Sequence, residues 1–499
     1  MADKTIIIIG AGVAGLATGC YSQMNGYGSQ IFETNSRPGG LCVTWERKGY
    51  TIDGGPDFLL GTSPRSSYYH FWQEVGALQG KQVINLEHLA RYENADGQAV
   101  DLFTDIDRLD KHLKTVAPED SALIEELTRT VRRLAGLELP ADKAPELYGT
   151  FDNLKLLQKV APYIREFQKW RSMTTHDFIL RFQNPLLRKV LFSLFPEGFA
   201  AVGILMTLTW FVQKNAGYII GGSMGIVKSM EKRYYDLGGK INYAAKVETI
   251  LVENGVAVGV KLADGSEHRA DRVISAADGH STIWEMLGGK FLDETIKRQY
   301  EMPIYPPLVF IGLGVKRTFE DMPPLTRGLT FTLTKPLIIG NREHQTITVR
   351  IYNYDPSFAP AGKTALNVAI ETDFAYWSEL RQDNARYKAE KERISAAVIE
   401  ALNQRFPGIT SQVEMCDVAT PTTYYHYTGN WQGSYRGWLM TPTNLTMRMK
   451  KTLPGLENFF MTGQWVQPGG GLSGGLMTGS HIMQILCKGD KRKFCAVAP

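Results

Sequence analysis

The chain opens on an uninterrupted β-branched run, Ile6 to Ile9, that passes directly into Gly10-Ala11-Gly12-Val13-Ala14-Gly15. An apolar run without polar alternation is what a parallel strand buried on both faces requires. Helix-compatible sequence follows to Met24 and is closed by Gly26 and Gly28; Gln30 to Phe32 then supplies a second short strand ending at Glu33. The pattern predicts strand, tight turn, helix and strand, with an acidic residue 23 positions after the first glycine.

Further along, Tyr68 to Leu78 has helical periodicity, Arg91 to Phe103 predicts a hairpin turning at Asn94-Ala95-Asp96-Gly97, and Ile106 to Leu139 is largely helical. Leu154 to Leu191 continues as charged amphipathic helices broken at Asn184-Pro185. Between Lys240 and Ala277 the period shortens: Val247 to Glu253, Ala257 to Leu262 and Arg272 to Ser275 are strands, separated by Asn254-Gly255 and Asp264-Gly265. Such dipeptides between short apolar runs mark hairpins. Pro303 to Val315, Gln345 to Tyr352 and Thr364 to Ile370 predict further strands, and Arg381 to Phe406 a charged helix.

Composition narrows the class. At about 150 residues per domain, 499 residues imply two or three structural units. Lys plus Arg number 55 against 51 Asp plus Glu, a net +4 too small to suggest a nucleic-acid partner. Five scattered cysteines without C-x-x-C spacing argue against a disulfide framework, and nine histidines in no H-E-x-x-H arrangement argue against a metal site. After Met1 the chain reads Ala-Asp-Lys-Thr and then only four isoleucines before Gly10, too short an apolar stretch for a signal peptide. The longest apolar run, Phe199 to Val212, is interrupted by Gly203, Thr207 and Thr209 and falls short of the roughly 20 residues that span a bilayer. A cytoplasmic protein is expected. Membrane-surface contact through the Leu154 to Leu191 stretch, or through Lys488, Lys491, Arg492 and Lys493, is the alternative to ordinary solvated faces.

The first glycine motif carries specific chemistry. Gly10 permits the tight turn, Gly12 lets backbone approach a pyrophosphate, and Gly15 lets helix pack on strand. Free amides at the helix start face the phosphates, and Glu33 can accept hydrogen bonds from both ribose hydroxyls. A second nucleotide site at Gly312-Leu313-Gly314 is disfavoured, because Arg317 stands where a third glycine would be needed; a strand with a close backbone contact is the expected reading.

Several later segments occur in a telling order. Arg37-Pro38-Gly39-Gly40-Leu41 follows Glu33, and Asp53-Gly54-Gly55-Pro56-Asp57 comes next. Tyr218 to Gly225 precedes a helix, Leu237-Gly238-Gly239 and Val247; Ala270 to Asp278 is a strand and its exit; Ala419 to Asn430 leads to Gly433 and Gly437. Phe459 to Gln464 and Pro468 to Gly475 close the set. In this order the segments resemble the flavoprotein superfamily of carotenoid desaturases, carotenoid isomerases and retinol saturases, itself related to amine oxidases.

The resemblance implies an α/β fold: a discontinuous Rossmann-type FAD-binding domain (1–62, 217–290 and 452–490) with an inserted α+β substrate domain (63–216 and 291–451). It implies FAD as cofactor, held by Gly10, Ala11, Gly12, Val13, Ala14, Gly15, Glu33, Thr34, Gly39, Gly40, Leu41, Gly55, Pro56, Asp57, Val247, Gly463, Gln464, Gly471, Leu472, Gly474, Gly475 and Leu476; no cysteine or histidine falls inside Gly463 to Gly475, so the FAD is expected to be bound without covalent attachment, although His481 follows closely. A strand ending at Gly463 and a helix beginning near Gly474 would aim amide donors at the flavin pyrimidine end. Many relatives carry an acid where this chain has Gln464, so the local charge differs.

The expected function is FAD-dependent oxidoreduction of carbon-carbon bonds in an apolar polyene or isoprenoid-like substrate: desaturation, saturation or redox-neutral isomerisation. A flavin amine oxidase, or a lipid-binding protein with structural FAD, is the alternative, and the electron acceptor is open. Asp57, just beyond the Gly54-Gly55 pair, and His426, within the aromatic Tyr424-Tyr425-His426-Tyr427, are the candidate proton-handling residues, weighed against a turn carboxylate and an aromatic wall. Phe192, Phe195, Phe199, Trp210 and Phe211 suggest an apolar cavity or surface patch, with core packing as the default.

Overall fold

In the computed structural model, which describes residues 4–445, 447, 449–497 and 499, the opening run forms strand β1 (Thr5–Ile9), followed by helix α1 (Val13–Met24) and strand β2 (Gly28–Phe32). Residues 1–3, the start of the segment expected to hold no leader, lie outside the described residues. Next come the hairpin strands β3 (His88–Glu93) and β4 (Ala99–Phe103) and helices α2 (Thr150–Val160), α3 (Pro185–Phe192) and α4 (Val202–Val212). The middle of the chain adds β5 (Lys240–Asn242) and β6 (Arg272–Ser275), then β7 (Leu308–Val315), β8 (Leu329–Ile339), β9 (Arg342–Ile351), β10 (Thr364–Glu371) and β11 (Val413–Ala419). Helix α5 (Pro421–Thr428), strand β12 (Phe459–Met461) and helix α6 (Gly471–Gly489) follow.

One sheet is parallel, five-stranded and ordered β5-β2-β1-β6-β12. Its central strand explains the β-branched run. Ile7 packs into an apolar layer with Phe32, Val273 and Phe459, whereas Ile8 packs on the other face with Leu16, Ile274 and Ile482. Both faces are covered, so alternation has no solvent side to record. Helices α1 and α6 share the Ile8 face, and they approach closely at Gly479, where a Cβ would stand 3.0 Å from the Thr18 amide nitrogen. Gly15 is tighter still, since a Cβ there would lie 1.9 Å from the Gly10 carbonyl oxygen.

The second sheet has seven strands, ordered β11-β7-β10-β9-β8-β3-β4. Its pairs are antiparallel except β8 with β3. Ile347, Val349 and Ile351 of β9 face a core completed by Ile394, Val398 and Leu402 of a helix over Asn384–Arg405. The alternate positions, His344, Thr346, Thr348 and Arg350, therefore point the other way, into the cavity described below. A further cluster joins α3 and α4 to Leu89 and Val100 of the β3–β4 hairpin.

Several predicted elements shift for identifiable reasons. The strand expected from Pro303 begins at Leu308, because Pro303, Pro306 and Pro307 offer no N–H to a ladder. The helix expected from Arg381 begins at Asn384, where the Asp383 side chain accepts from the Ala385 and Arg386 amides. Ile106 to Leu139 is two helices, Ile106–Val116 and Ser121–Leu134, parted at Pro118. The Leu329–Ile339 strand is absent from the sequence reading, and Lys335-Pro336 interrupts it: the ladder jumps from Thr332 to Leu337. Gly312 and Gly314 lie within β7, where a Cβ would come within 2.7 Å of Ile52 and 2.5 Å of Tyr50. Among the described residues no helix is long and apolar enough to cross a membrane.

Candidate functional site

A continuous cavity of about 2170 Å³ runs between the parallel sheet and the second sheet. That is more than twice the roughly 1,000 Å³ at the upper end of ordinary small-molecule pockets, so it can take a dinucleotide and a second sizeable ligand together.

The floor is built from the glycine segments. Of the residues expected to hold FAD, all line the cavity except Ala11, Gly15 and Leu476. Those three are buried directly beneath it, Ala11 and Leu476 at 0% exposure and Gly15 against Gly10. Segments more than 400 residues apart in sequence thus meet at one surface, with the Gly463 Cβ position 3.4 Å from the Ala14 Cβ.

Whether this floor suits FAD follows from its polar groups. Helices α1 and α6 follow the N-cap residues Gly12 and Gly470, neither of which supplies a side-chain cap, and their first-turn residues line the same cavity. Two uncapped N-termini aimed at one space constitute an anion-favouring, donor-rich surface. Gly474 has nothing within 4 Å of its Cβ position, so the start of α6 is open to an approaching ring. At the far end Glu33 is only 4% exposed. One carboxylate oxygen accepts from the Ala11 amide at 2.7 Å, and the other accepts from the Asn35 amide at 2.9 Å and Asn35 Nδ2 at 2.8 Å. This fixes a carboxylate at the lip of the phosphate turn, where ribose hydroxyls would meet it. The residues fit FAD.

Gln464 donates from Nε2 to Asn430 Oδ1 at 2.8 Å, and Trp465 Nε1 reaches the same oxygen at 3.2 Å. Behind them Tyr300, Trp431, Trp438 and Trp465 pack as one aromatic block. His481, the histidine next in sequence to the closing glycine loop, is turned into the core. It bonds the Ala141 carbonyl at 2.7 Å, and burial lowers it to about 4.

The opposite walls divide by character. Phe192, Phe195, Phe199, Met206 and Trp210 of α3, α4 and the segment between them form an apolar wall, whereas Phe211 packs behind it in the core. Strand β9 presents the polar row His344, Thr346, Thr348 and Arg350. Asp57 lies against this second wall, with Oδ2 3.1 Å from Arg327 Nε and Oδ1 in contact with Arg350 Nη2. It is the counter-ion of two guanidinium groups. His426 lies on the last turn of α5, exposed at the cavity rim with its ring edge against Tyr427.

Sequence reasoning missed Arg327, Arg350 and Arg436, which no local motif marks. It also missed the state of Asp278, a cavity-lining carboxyl that burial pushes up to about 7, although it accepts from the Ser281 amide at 2.8 Å and the Trp431 amide at 2.9 Å. Asp278 follows Ala276 and Ala277, which pack within 3.7 Å of the Gly10 Cβ position, so it stands on the cofactor side.

Among known proteins, the chain is 26% identical over 494 residues to the chloroplastic prolycopene isomerase of Arabidopsis thaliana, covering 93% of this chain and 80% of that one. It is 23% identical to the lycopene-forming phytoene desaturase of a Paracoccus species, covering 97% of each. The cyclohexylamine oxidase of Brevibacterium oxydans shares the fold, with a TM-score of 0.61 at 14% identity over 98% of this chain and 100% of that one. Residues 13–481 match the family described as flavin containing amine oxidoreductase, and the chain belongs to that family of FAD-dependent oxidoreductases.

Proposed function

We propose that the protein transfers two electrons between FAD and the carbon framework of an apolar polyene or isoprenoid-like substrate, as desaturation, saturation or redox-neutral isomerisation. The observation that carries this reading is the continuity of one cavity from the Gly463 to Gly475 floor to the apolar wall of Phe192, Phe195, Phe199, Met206 and Trp210. The carotenoid-converting relatives favour the same substrate class. When bound, FAD supplies the hydride chemistry. The chain's own part is to hold a long apolar ligand across the floor and to exclude water from it.

Of the two side chains expected to handle a proton, we assign Asp57 the positioning of Arg327 and Arg350, and leave the proton to His426 at the rim. A protonated amine is the second reading, favoured by the family's amine oxidases. It suits the β9 side of the cavity poorly, because Arg327, Arg350 and Arg436 line it and would repel an ammonium. We further propose contact with a membrane surface through α2, which exposes Phe151, Leu154 and Leu157 at 70%, 50% and 56% beside Lys155 and Lys159. Leu139, Phe167 and Arg171, from the flanking segments, line the cavity, so an apolar substrate would have a short path in.

Anaerobic stopped-flow spectroscopy with candidate polyenes tests the central reading. Desaturation bleaches oxidised flavin, saturation reoxidises reduced flavin, and isomerisation needs reduced flavin yet leaves its spectrum unchanged. Reduction by amines, with no polyene or other lipid reacting in either redox state, replaces the reading with amine oxidation.

A further inference from the structure

The cavity wall beside the start of α6 holds more positive charge than binding a hydrocarbon requires. Arg327, Arg350 and Arg436 all line it, and among the described residues Asp57 is the one carboxylate in ion-pair contact with any of them. Arg436 makes no ion pair there. Its guanidinium lies 5.0 Å from the Tyr305 ring centroid, and its Nε and Nη2 are 3.9 Å from the Gly471 Cβ position, at the flavin-facing loop. Arg350 donates to the Tyr352 hydroxyl at 2.8 Å, but its Nε is buried without a hydrogen-bond partner. Arg327 and Arg350 face Asp57, and Asp53 lies near enough to Arg350 to act on its charge, which leaves Arg436 as the guanidinium of the three without a carboxylate in ion-pair contact among the described residues.

An unpaired guanidinium is costly to shield from water. Buried charges are tolerated when paired and hydrogen-bonded; burial and the neighbouring Arg436 lower Arg327 to about 10, whereas, against burial, Tyr352, Tyr354 and Asp53 raise Arg350. The rest of the lining carries four basic and six acidic side chains, and among the described residues none of those acids is in ion-pair contact with Arg327, Arg350 or Arg436. An anion on the second ligand, or on the reduced flavin, would pair with Arg436.

We infer that the substrate is an amphiphile, an unsaturated apolar chain bearing a carboxylate, and that Arg436 together with Arg327 and Arg350 binds that carboxylate at the flavin end of the cavity. The inference rests on the apolar-substrate reading above and narrows it. Guanidinium groups are suited to the task because their planar forks pair a carboxylate through two parallel hydrogen bonds. Asp57 keeps two of them oriented while leaving donors free. The polar row His344, Thr346 and Thr348 extends along β9 from Arg350, opposite the apolar wall, so the cavity itself is two-sided in the way an amphiphile is.

Equilibrium dialysis of the FAD-loaded protein against farnesoic acid and farnesol, which differ in the head group on one isoprenoid chain, tests this. The acid is expected to bind about ten- to a hundredfold more tightly, the value of a charge-assisted hydrogen bond, and added salt should weaken the acid alone. Arg436→Gln should erase the preference and Arg436→Lys should restore part of it. Equal binding of acid and alcohol, or binding of neither while neutral polyenes react with the flavin, overturns the inference and leaves the polyene reading intact. A preference that persists in Arg436→Gln, with a changed flavin midpoint potential, also overturns it and assigns the charge to the reduced cofactor. Only the failure of every lipid in the anaerobic assay removes the polyene reading itself.

Discussion

Glu33→Gln isolates the charge at the end of β2. In the wild type three N–H groups converge on this carboxylate, at 2.7, 2.8 and 2.9 Å, and the side chain is 4% exposed. Glutamine keeps one acceptor oxygen, so either Ala11 or Asn35 retains its partner while the other N–H faces an amide NH₂. One charge-assisted interaction is lost, about 1.5–3 kcal/mol. With an unfolding entropy of about 2.1 cal/mol/K per residue, a 499-residue chain loses about 2 °C in Tm for that change. The ribose hydroxyls lose a charged acceptor as well, so FAD affinity should fall about ten- to hundredfold. Thermal unfolding of apoprotein and quenching of FAD fluorescence on titration read the two effects separately. A lowered Tm with unchanged FAD affinity would confine Glu33 to bracing the turn and refute its place in the adenosine site.

Gly15→Ala should abolish FAD-loaded protein, because the added Cβ would lie 1.9 Å from the Gly10 carbonyl oxygen; yellow, soluble variant would contradict the packing of α1 on β1. Acid precipitation should leave FAD in the supernatant, since His481 is bonded to the Ala141 carbonyl within the core; colour in the pellet would indicate a covalent link. Burial raises Asp278 from 3.8 to about 7. The folded state therefore binds the extra proton, and this group's stability contribution is full below about pH 4 and is lost as pH rises towards 7. Asp278→Asn should flatten the Tm-against-pH curve across that window, and an unchanged slope would count against the raised value. Replacing Phe151, Leu154 and Leu157 together with serine should reduce co-sedimentation with anionic vesicles without lowering Tm, because all three are exposed; undiminished sedimentation would clear α2 of membrane contact.

What the sequence determined by itself is the local geometry. The β1 run, the turn at Gly10 and the helix after it are readable because backbone sterics and burial on both faces act within a few residues. The same holds at Asn254-Gly255, whose positive φ values of 49° and 81° close the hairpin between Val247–Glu253 and Val256–Leu262. Where local signals conflicted, as at Lys335-Pro336 within β8, tertiary pairing with β9 prevailed. Only the folded chain decided the order β5-β2-β1-β6-β12, because parallel neighbours are joined by long crossovers whose length says little about the final partner. Asp57 meets Arg327 across 270 positions and Arg350 across 293. That cluster, and the raised Asp278, depend on burial and on charges brought from distant segments, quantities that a linear pattern does not carry.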